Sequence, residues 1–345
     1  MKAPILIAGG GLAGTALGWA LHERGAAFVM VDPNEKLTCS KIAAGLVTPI
    51  TGKRVKPSWR VDELLPVALE CYRKVEELLG GVFYQERPLV RLFKEPREVE
   101  WWRGRAGEAG LDHWVDSDAP LVDAAQFHSE FGGFVQRHSG WLDTAAYLEA
   151  SRVFFEKGGA WRQGAVTEDE IETPEHAVRW HGEDFSHVIF CRGAEERNGP
   201  RFFPWLKFDC ARGVIASLKT DLREDRIINR GCWLLQRGSG DWRAGSTYEF
   251  DLKTPLETSV EDLREKLSRL LRIPFEIRGA QAGIRPIIKH RQLVLGRHPA
   301  HPRVCVFNGL GSKGVLRAPF FARMLVEHLL DDKPLEPVVD VRGND

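Results

Sequence analysis

Two glycine runs of identical spacing carry the clearest chemical signal in this chain. Gly9-x-Gly11-x-x-Gly14 follows apolar residues 4–8, and Gly309-Leu-Gly311-Ser-Lys-Gly314 follows apolar residues 304–307. After the first run an amphipathic segment extends to Gly25, a second apolar run covers residues 28–31, and Asp32 closes it. Strand, glycine turn, helix, strand and acid in that order describe a dinucleotide-binding unit. The first glycine permits the tight turn, the second admits a pyrophosphate to the backbone, and the third lets helix pack on strand. Phosphates are expected at the helix N-terminus, where unpaired N–H groups and the helix dipole favour anions. Asp32, 18 residues beyond Gly14, stands about where an acid binds a ribose hydroxyl.

The second run has no room for a unit of its own, because residues 331–345 (DDKPLEPVVDVRGND) contain no real second strand. It reads instead as a helix N-terminus aimed at the nucleotide already bound by the first run. Such a terminus offers N–H donors and partial positive charge to an anion. A reduced flavin is anionic at its pyrimidine end, whereas a nicotinamide cofactor has no such need, so the pair of turns favours FAD over NAD. The alternative is a plain glycine turn with Lys313 in solvent.

Composition bounds the rest. The chain has 345 residues, 43% hydrophobic and 28% charged, which suits a globular protein long enough for two domains. A formal net charge of zero argues against nucleic-acid and anionic-membrane partners. The first strand starts too close to Met1 for a signal peptide, and no apolar run reaches membrane-spanning length. Cysteines 39, 71, 191, 210, 232 and 305 form no CxxC pair. Free thiols, no zinc site and a cytoplasmic location are therefore expected.

The elements that must position these turns follow from periodicity. Helices are predicted over 62–79, 96–110, 144–157 (with Asp143 or Thr144 as N-cap), 263–271 and 315–330. Strands are predicted within 82–93, at 165–166, 177–180 and 187–191, in several runs between 210 and 249, and around 280–286 and 293–295. The expected fold class is α/β with an α+β second domain: a Rossmann-like FAD-binding domain interrupted by a mostly antiparallel-sheet substrate domain. The expected boundaries are 1–80, 140–205 and 296–345 for the first domain, and 81–139 and 206–295 for the second.

The segments AGIRPIIKHRQLVLGRHP and VFNGLGSKGVLRAP, with GGGLAG…VDP near the N-terminus, S-x-x-A-A-G at Ser40 to Gly45 and GWLDTAAYL at 140–148, resemble the D-amino-acid oxidase and glycine oxidase (DAO) family of flavoproteins. The resemblance runs over the whole chain and implies a role for each matching residue. Gly9, Gly11, Leu12, Ala13 and Gly14 cradle the FAD pyrophosphate and Asp32 holds the ribose. Cys39, Ser40, Ala44, Gly45 and Leu46 lie along the phosphate, ribityl chain and isoalloxazine. The Val166 backbone contacts adenine, Gly193 is the strand-end glycine, and Gly309, Leu310, Gly311, Ser312, Lys313, Gly314 and Val315 surround the flavin pyrimidine.

The resemblance also makes Arg285 the group that binds a substrate carboxylate, consistent with the two-point grip of a guanidinium. The alternative is a surface arginine in an ion pair. Trp233 and Tyr248 fall where the family lines its substrate pocket, although both could equally be core aromatics. Trp233 stands where tyrosine is often found. Arg243 aligns roughly with a lysine that activates oxygen in some amine-oxidising relatives. Relatives with covalent flavin use a cysteine near the substrate arginine or a histidine soon after the first glycine run; this chain has no cysteine between Cys232 and Cys305 and no histidine between His22 and His113, so non-covalent FAD is expected. No residue is assigned as a catalytic acid or base, and His290 is left out. The basic loop 51–60 is either a lid over an acidic substrate or a solvated loop.

The implied activity is FAD-dependent oxidation of the C–N bond of a small amino acid or secondary amine. Hydride goes to flavin N5, the imine is hydrolysed, and electrons pass to O2 or another acceptor. One alternative within the resemblance is the oxidase domain of a bifunctional tRNA wobble-uridine enzyme acting on a carboxymethylaminomethyl group. A second is a non-catalytic FAD-binding subunit. An NAD-dependent dehydrogenase is the weakest alternative.

Overall fold

The computed structural model describes residues 3–52, 55–105, 108, 110–198, 201–238, 240–290 and 292–343. Its central sheet has six strands in the order Trp161–Gln163, Phe28–Asp32, Ile5–Ala8, His187–Phe190, Val304–Asn308, Val294–Arg297. The first five run parallel and the last is antiparallel. Along the first strand Ile5 and Ile7 pack into one buried cluster and Leu6 and Ala8 into another, so the sheet is apolar on both faces, as a parallel sheet must be. The N-terminal helix Leu12–Glu23 and the C-terminal helix Gly314–Asp331 pack against each other in the first cluster. The N-terminal and C-terminal segments therefore share one sheet, as expected from the two glycine runs.

The second large sheet has eight strands in the order Phe275–Arg285, Ala211–Thr220, Trp242–Gly245, Trp233–Gln236, Ile227–Asn229, Leu89–Leu92, Gly133–Gln136, Val115–Asp116. Its pairs are antiparallel except that between Ile227–Asn229 and Leu89–Leu92. Helix Leu256–Ser268 covers one face through Leu263 and Leu267, which join Leu218, Leu234 and Trp242 in a core of their own. A three-stranded sheet (Leu46–Val47, Gly140–Leu142, Tyr84–Glu86) is also present. The α/β class with a mostly antiparallel second sheet matches the expectation.

Three local expectations are corrected. The helix expected over 263–271 runs Leu256–Ser268, because the polar stretch before Leu263 forms its solvent side and gives little apolar signal. The strand expected at 165–166 lies at Trp161–Gln163, beside Phe28–Asp32. The helix expected to reach 110 covers Pro96–Arg103, and residues 106, 107 and 109 lie outside the described residues. Helix Thr144–Lys157 has the bounds expected, and Asp143 is its N-cap, accepting from Ala146 N at 3.2 Å.

Candidate functional site

The first glycine run is held by close backbone packing. Gly9 has φ +106°, a region open mainly to glycine. A Cβ on Gly14 would overlap the Gly9 carbonyl oxygen, so helix and turn meet only because no side chain intervenes. Asp32 is tied to the turn it was expected to serve. Its Oδ2 accepts from Gly10 N at 2.6 Å and its Oδ1 from Asn34 N at 2.7 Å. Leu12 N donates to Ser40 Oγ at 3.2 Å, which brings the short helix Cys39–Ile42 up to the N-terminus of the first long helix.

The second run faces the same space. Asn308, at the end of the fifth parallel strand, donates from Nδ2 to the Gly193 carbonyl at 3.0 Å and accepts from Gly309 N at 2.7 Å. The bend after His187–Phe190 is thereby fastened to the C-terminal turn. Gly311 N donates to the Pro286 carbonyl at 3.0 Å, which joins the turn to the end of the long strand that carries Arg285.

These segments enclose a cavity of about 400 Å³. Gly11, Leu12 and Ala13 line it from the first turn, and Cys39, Ser40, Ala44, Gly45 and Leu46 from the segment after the second strand. Gly193 and the whole of Leu310, Gly311, Ser312, Lys313, Gly314 and Val315 line it too, as do Arg285, Tyr248 and Trp233. Gly9, Gly14, Asp32, Val166 and Gly309 are not among its lining residues. The first three shape the turn. Gly309, at φ +84°, is packed on Ile288 and Leu293. Val166 is buried in the other cluster, its carbonyl 3.4 Å from a nitrogen of Arg192. That arginine pairs with Glu168 (3.0 Å) and Glu196 (2.8 Å).

Arg285 is the best-positioned cation in the cavity. Its guanidinium donates to Ser246 Oγ at 2.7 Å, to the Arg212 carbonyl at 3.2 Å and to the Thr247 carbonyl at 3.3 Å, and lies 5.1 Å from the centre of the Tyr248 ring. Its partners are all neutral, and no carboxylate pairs with it among the described residues. Burial pulls its pKa down, a pull that an anion would offset. The surface ion pair weighed as an alternative is not what the structure contains. A Cβ on Gly213 would overlap the guanidinium, so the glycine opposite makes room for the arginine. Trp233 is 9% exposed and packs with Leu89, Trp141, Ile227 and Leu235. It is a core aromatic that also shows an edge to the cavity. Tyr248 is 54% exposed, and its ring meets that of Phe250 at 5.5 Å.

Other sequence candidates fall elsewhere. Arg243 pairs with Asp241 at 3.3 Å and does not line the cavity. His290 is exposed at φ +61° and lines a separate surface hollow with Trp205 and Lys289. The expectation that Lys313 is either near flavin or in solvent resolves toward the cavity, where its Nζ donates to Ser58 Oγ at 3.0 Å. In the basic loop, Lys53 and Arg54 lie outside the described residues. Trp59 stacks on Phe321 (5.8 Å, 3°) and Arg60 pairs with Glu63 and Glu336, so the end of the loop is anchored rather than free. Sequence reasoning missed Thr48, Thr51, Asn229, Ser246 and Asn308, all polar and all on the cavity wall. Only Asn308, beside a glycine at a strand end, carried a local signal.

A family model described as DAO, FAD dependent oxidoreductase, matches residues 4–328. The chain belongs to this family. Its cofactor is FAD, and the cavity suits it: two glycine turns open onto one space, two helix N-termini meet there, and no carboxylate lines it among the described residues. Family membership makes the protein an enzyme.

Solved structures share the fold at low identity. Glycine oxidase from Geobacillus kaustophilus is 20% identical, with a TM-score of 0.74 over 97% of this chain and 96% of that one. L-proline dehydrogenase from P. horikoshii is 15% identical, with a TM-score of 0.77 over 98% and 96%. The tRNA 5-methylaminomethyl-2-thiouridine biosynthesis bifunctional protein MnmC of Maricaulis maris (strain MCS10) is 24% identical over 337 residues, 96% of this chain and 52% of the relative. The chain thus spans about half the length of that curated relative. Among the described residues no helix is long and apolar enough to cross a membrane, and no cluster of His, Cys, Asp and Glu is arranged to hold a metal.

Proposed function

We propose that the protein oxidises the C–N bond of a small amine or amino acid bearing a carboxylate. The observation that carries this reading is Arg285: a half-buried guanidinium held by neutral acceptors, facing the cavity on which both glycine turns open. A carboxylate bound there forms charge-assisted hydrogen bonds and is fixed in orientation, and positioning is a large part of what such a reaction needs. Tyr248 lies over the guanidinium and Trp233 closes the wall behind it. FAD, when bound, accepts the hydride. The substrate loses hydride from carbon and a proton from nitrogen, and water hydrolyses the resulting imine to a carbonyl compound and ammonia or an amine. Reduced cofactor returns its electrons to O2 or another acceptor. The structural neighbours, a glycine oxidase and an L-proline dehydrogenase, support the substrate class and leave both acceptors in play.

In this reading the chain divides into a cofactor unit and a substrate unit. Residues 1–80, 140–205 and 296–345 form the cofactor unit, and 81–139 and 206–295 the substrate unit. FAD is held non-covalently, and the enzyme works in the cytoplasm, in keeping with six free cysteines. Anaerobic mixing with a panel of small amino acids and N-methyl amino acids tests the reading. It predicts bleaching of the yellow flavin absorbance by at least one of them, and a panel that leaves the colour unchanged refutes it. The relative from Maricaulis maris favours a second reading, oxidation of a carboxymethylaminomethyl group on a tRNA base. Zero net charge weighs against it, and a gel shift with tRNA at physiological salt separates the two.

A further inference from the structure

Buried cations elsewhere in the fold are matched to carboxylates: Arg192 to Glu168 and Glu196, and Arg212 to Glu249. Lys313 breaks this pattern. Its Nζ donates to Ser58 Oγ, and no carboxylate pairs with it among the described residues. Ser58 donates its own hydrogen to the Thr48 carbonyl at 3.0 Å, so its lone pairs are what Lys313 meets, and one donor of the ammonium is satisfied while two remain. One helical turn on, Arg317 repeats the anomaly. It is 9% exposed, and among the described residues its side chain bonds to Gln292, through the carbonyl (3.0 Å) and Oε1 (2.6 Å), with the Trp59 ring at 5.8 Å. Burial pulls the Lys313 pKa down to about 8 and that of Arg317 to about 10. A half-buried and a buried cation therefore stand together at the start of the C-terminal helix, neither paired with a carboxylate among the described residues, and the first of them lines the same cavity as Arg285. Thr48 and Thr51 line the wall beside it, adding polar groups but no negative charge.

We propose that Lys313 is a second anion-binding group of the cavity, and that the preferred substrate is an amine carrying two acidic groups, one gripped by Arg285 and the other by Lys313. This rests on the amine-oxidising reading above and narrows it from monocarboxylates to imino or amino dicarboxylates. Arg317 acts through Lys313 as a positioning residue, keeping the region positive and closed to carboxylates of the chain itself.

The test uses the FAD-loaded enzyme and two ligands without a C–N bond, methoxyacetate and oxydiacetate, followed by perturbation of the flavin absorbance. Oxydiacetate is expected to bind about 10- to 100-fold more tightly, the range for an added charge-assisted contact. Lys313→Met should abolish that advantage by weakening oxydiacetate, and Lys313→Arg should retain it. In turnover, iminodiacetate should exceed N-methylglycine by a similar factor in kcat/KM, carried by KM. Equal binding of the two ligands by the unmodified enzyme overturns the inference without any variant. So does a Lys313→Met enzyme that weakens both ligands equally or loses FAD, since Lys313 would then serve the cofactor. If no amine bleaches the flavin while the ligand preference holds, the amine-oxidising reading fails and the two-anion site stands.

Discussion

The Tyr72 hydroxyl donates to the Val315 carbonyl at 2.6 Å, and that carbonyl is the acceptor which Pro319, four residues later in the helix, cannot serve. A proline inside a helix removes one N–H and leaves one carbonyl without its usual partner. Here the partner comes from another helix, Val61–Leu79, through a tyrosine that is 1% exposed. Tyr72→Phe should strand the buried carbonyl at a cost of about 1–3 kcal/mol. A lowered thermal midpoint, with greater loss of FAD on dilution than in the parent, is the expected outcome. An unchanged midpoint would show that the carbonyl finds another donor.

Arg285 and the glycine opposite it make a paired prediction. Arg285→Met removes the charge and should reduce kcat/KM about 30- to 150-fold, through loss of a charge-assisted contact worth about 2–3 kcal/mol, with FAD retained. Gly213→Ala adds a methyl where the guanidinium lies, so the arginine must move, and KM should rise in the same direction. Steady-state kinetics beside the flavin-to-protein absorbance ratio checks both. Activity within about twofold of the parent in Gly213→Ala would mean that the arginine tolerates displacement.

Gly14→Ala addresses the cofactor turn. The added Cβ would overlap the Gly9 carbonyl oxygen, separating helix from turn. Protein purified with this change should be colourless or nearly so, with a lower thermal midpoint, and adding FAD should not restore the parental ratio. Full colour after purification would contradict the packing described.

The Glu168 carboxyl is pushed up to about 7 by burial and by the adjacent Glu196. A carboxyl with a higher pKa folded than unfolded holds its proton longer in the native state. The stability this contributes is complete below the ordinary value of 4.5 and is lost as pH rises through about 7. The thermal midpoint should therefore fall between about pH 5 and about pH 8, and fall less in Glu168→Gln, which keeps one acceptor oxygen for Arg192 or Phe202 N and does not titrate. Parallel profiles for the two proteins would remove Glu168 from the explanation.

How far the sequence was legible follows from the range of the interactions involved. Gly9, Gly11 and Gly14 could be read directly because the turn they form is local, and the second run at 309–314 could be read for the same reason. That both runs open on one cavity was an inference from chain length after Leu330, and the strand order bears it out. Thr48, Asn229 and Ser246 were illegible: each is an ordinary polar residue brought to the wall by strand pairing between distant segments. Arg243 and Lys313 show the difference most clearly. The resemblance matched Arg243 to an oxygen-activating lysine and put Lys313 at the flavin pyrimidine; Arg243 pairs with Asp241 two residues before it and stays off the cavity wall, whereas Lys313 lines the cavity with no carboxylate paired to it among the described residues. The helix Leu256–Ser268 was read only from Leu263 onward because its first turns face water.

The strand order also constrains how the protein is made. Residues 5–8 sit next to residues 187–190, and these next to residues 304–308. A nascent chain leaving the ribosome carries its first nucleotide turn for on the order of tens of seconds before the last partner strand is synthesised. During that interval the apolar edge of residues 187–190 has no neighbour on one side and is open to chaperones or to mispairing. Flavin capture then becomes a late event in biogenesis, and the yellow colour of a translation reaction should appear only once residues 304–308 have left the ribosome.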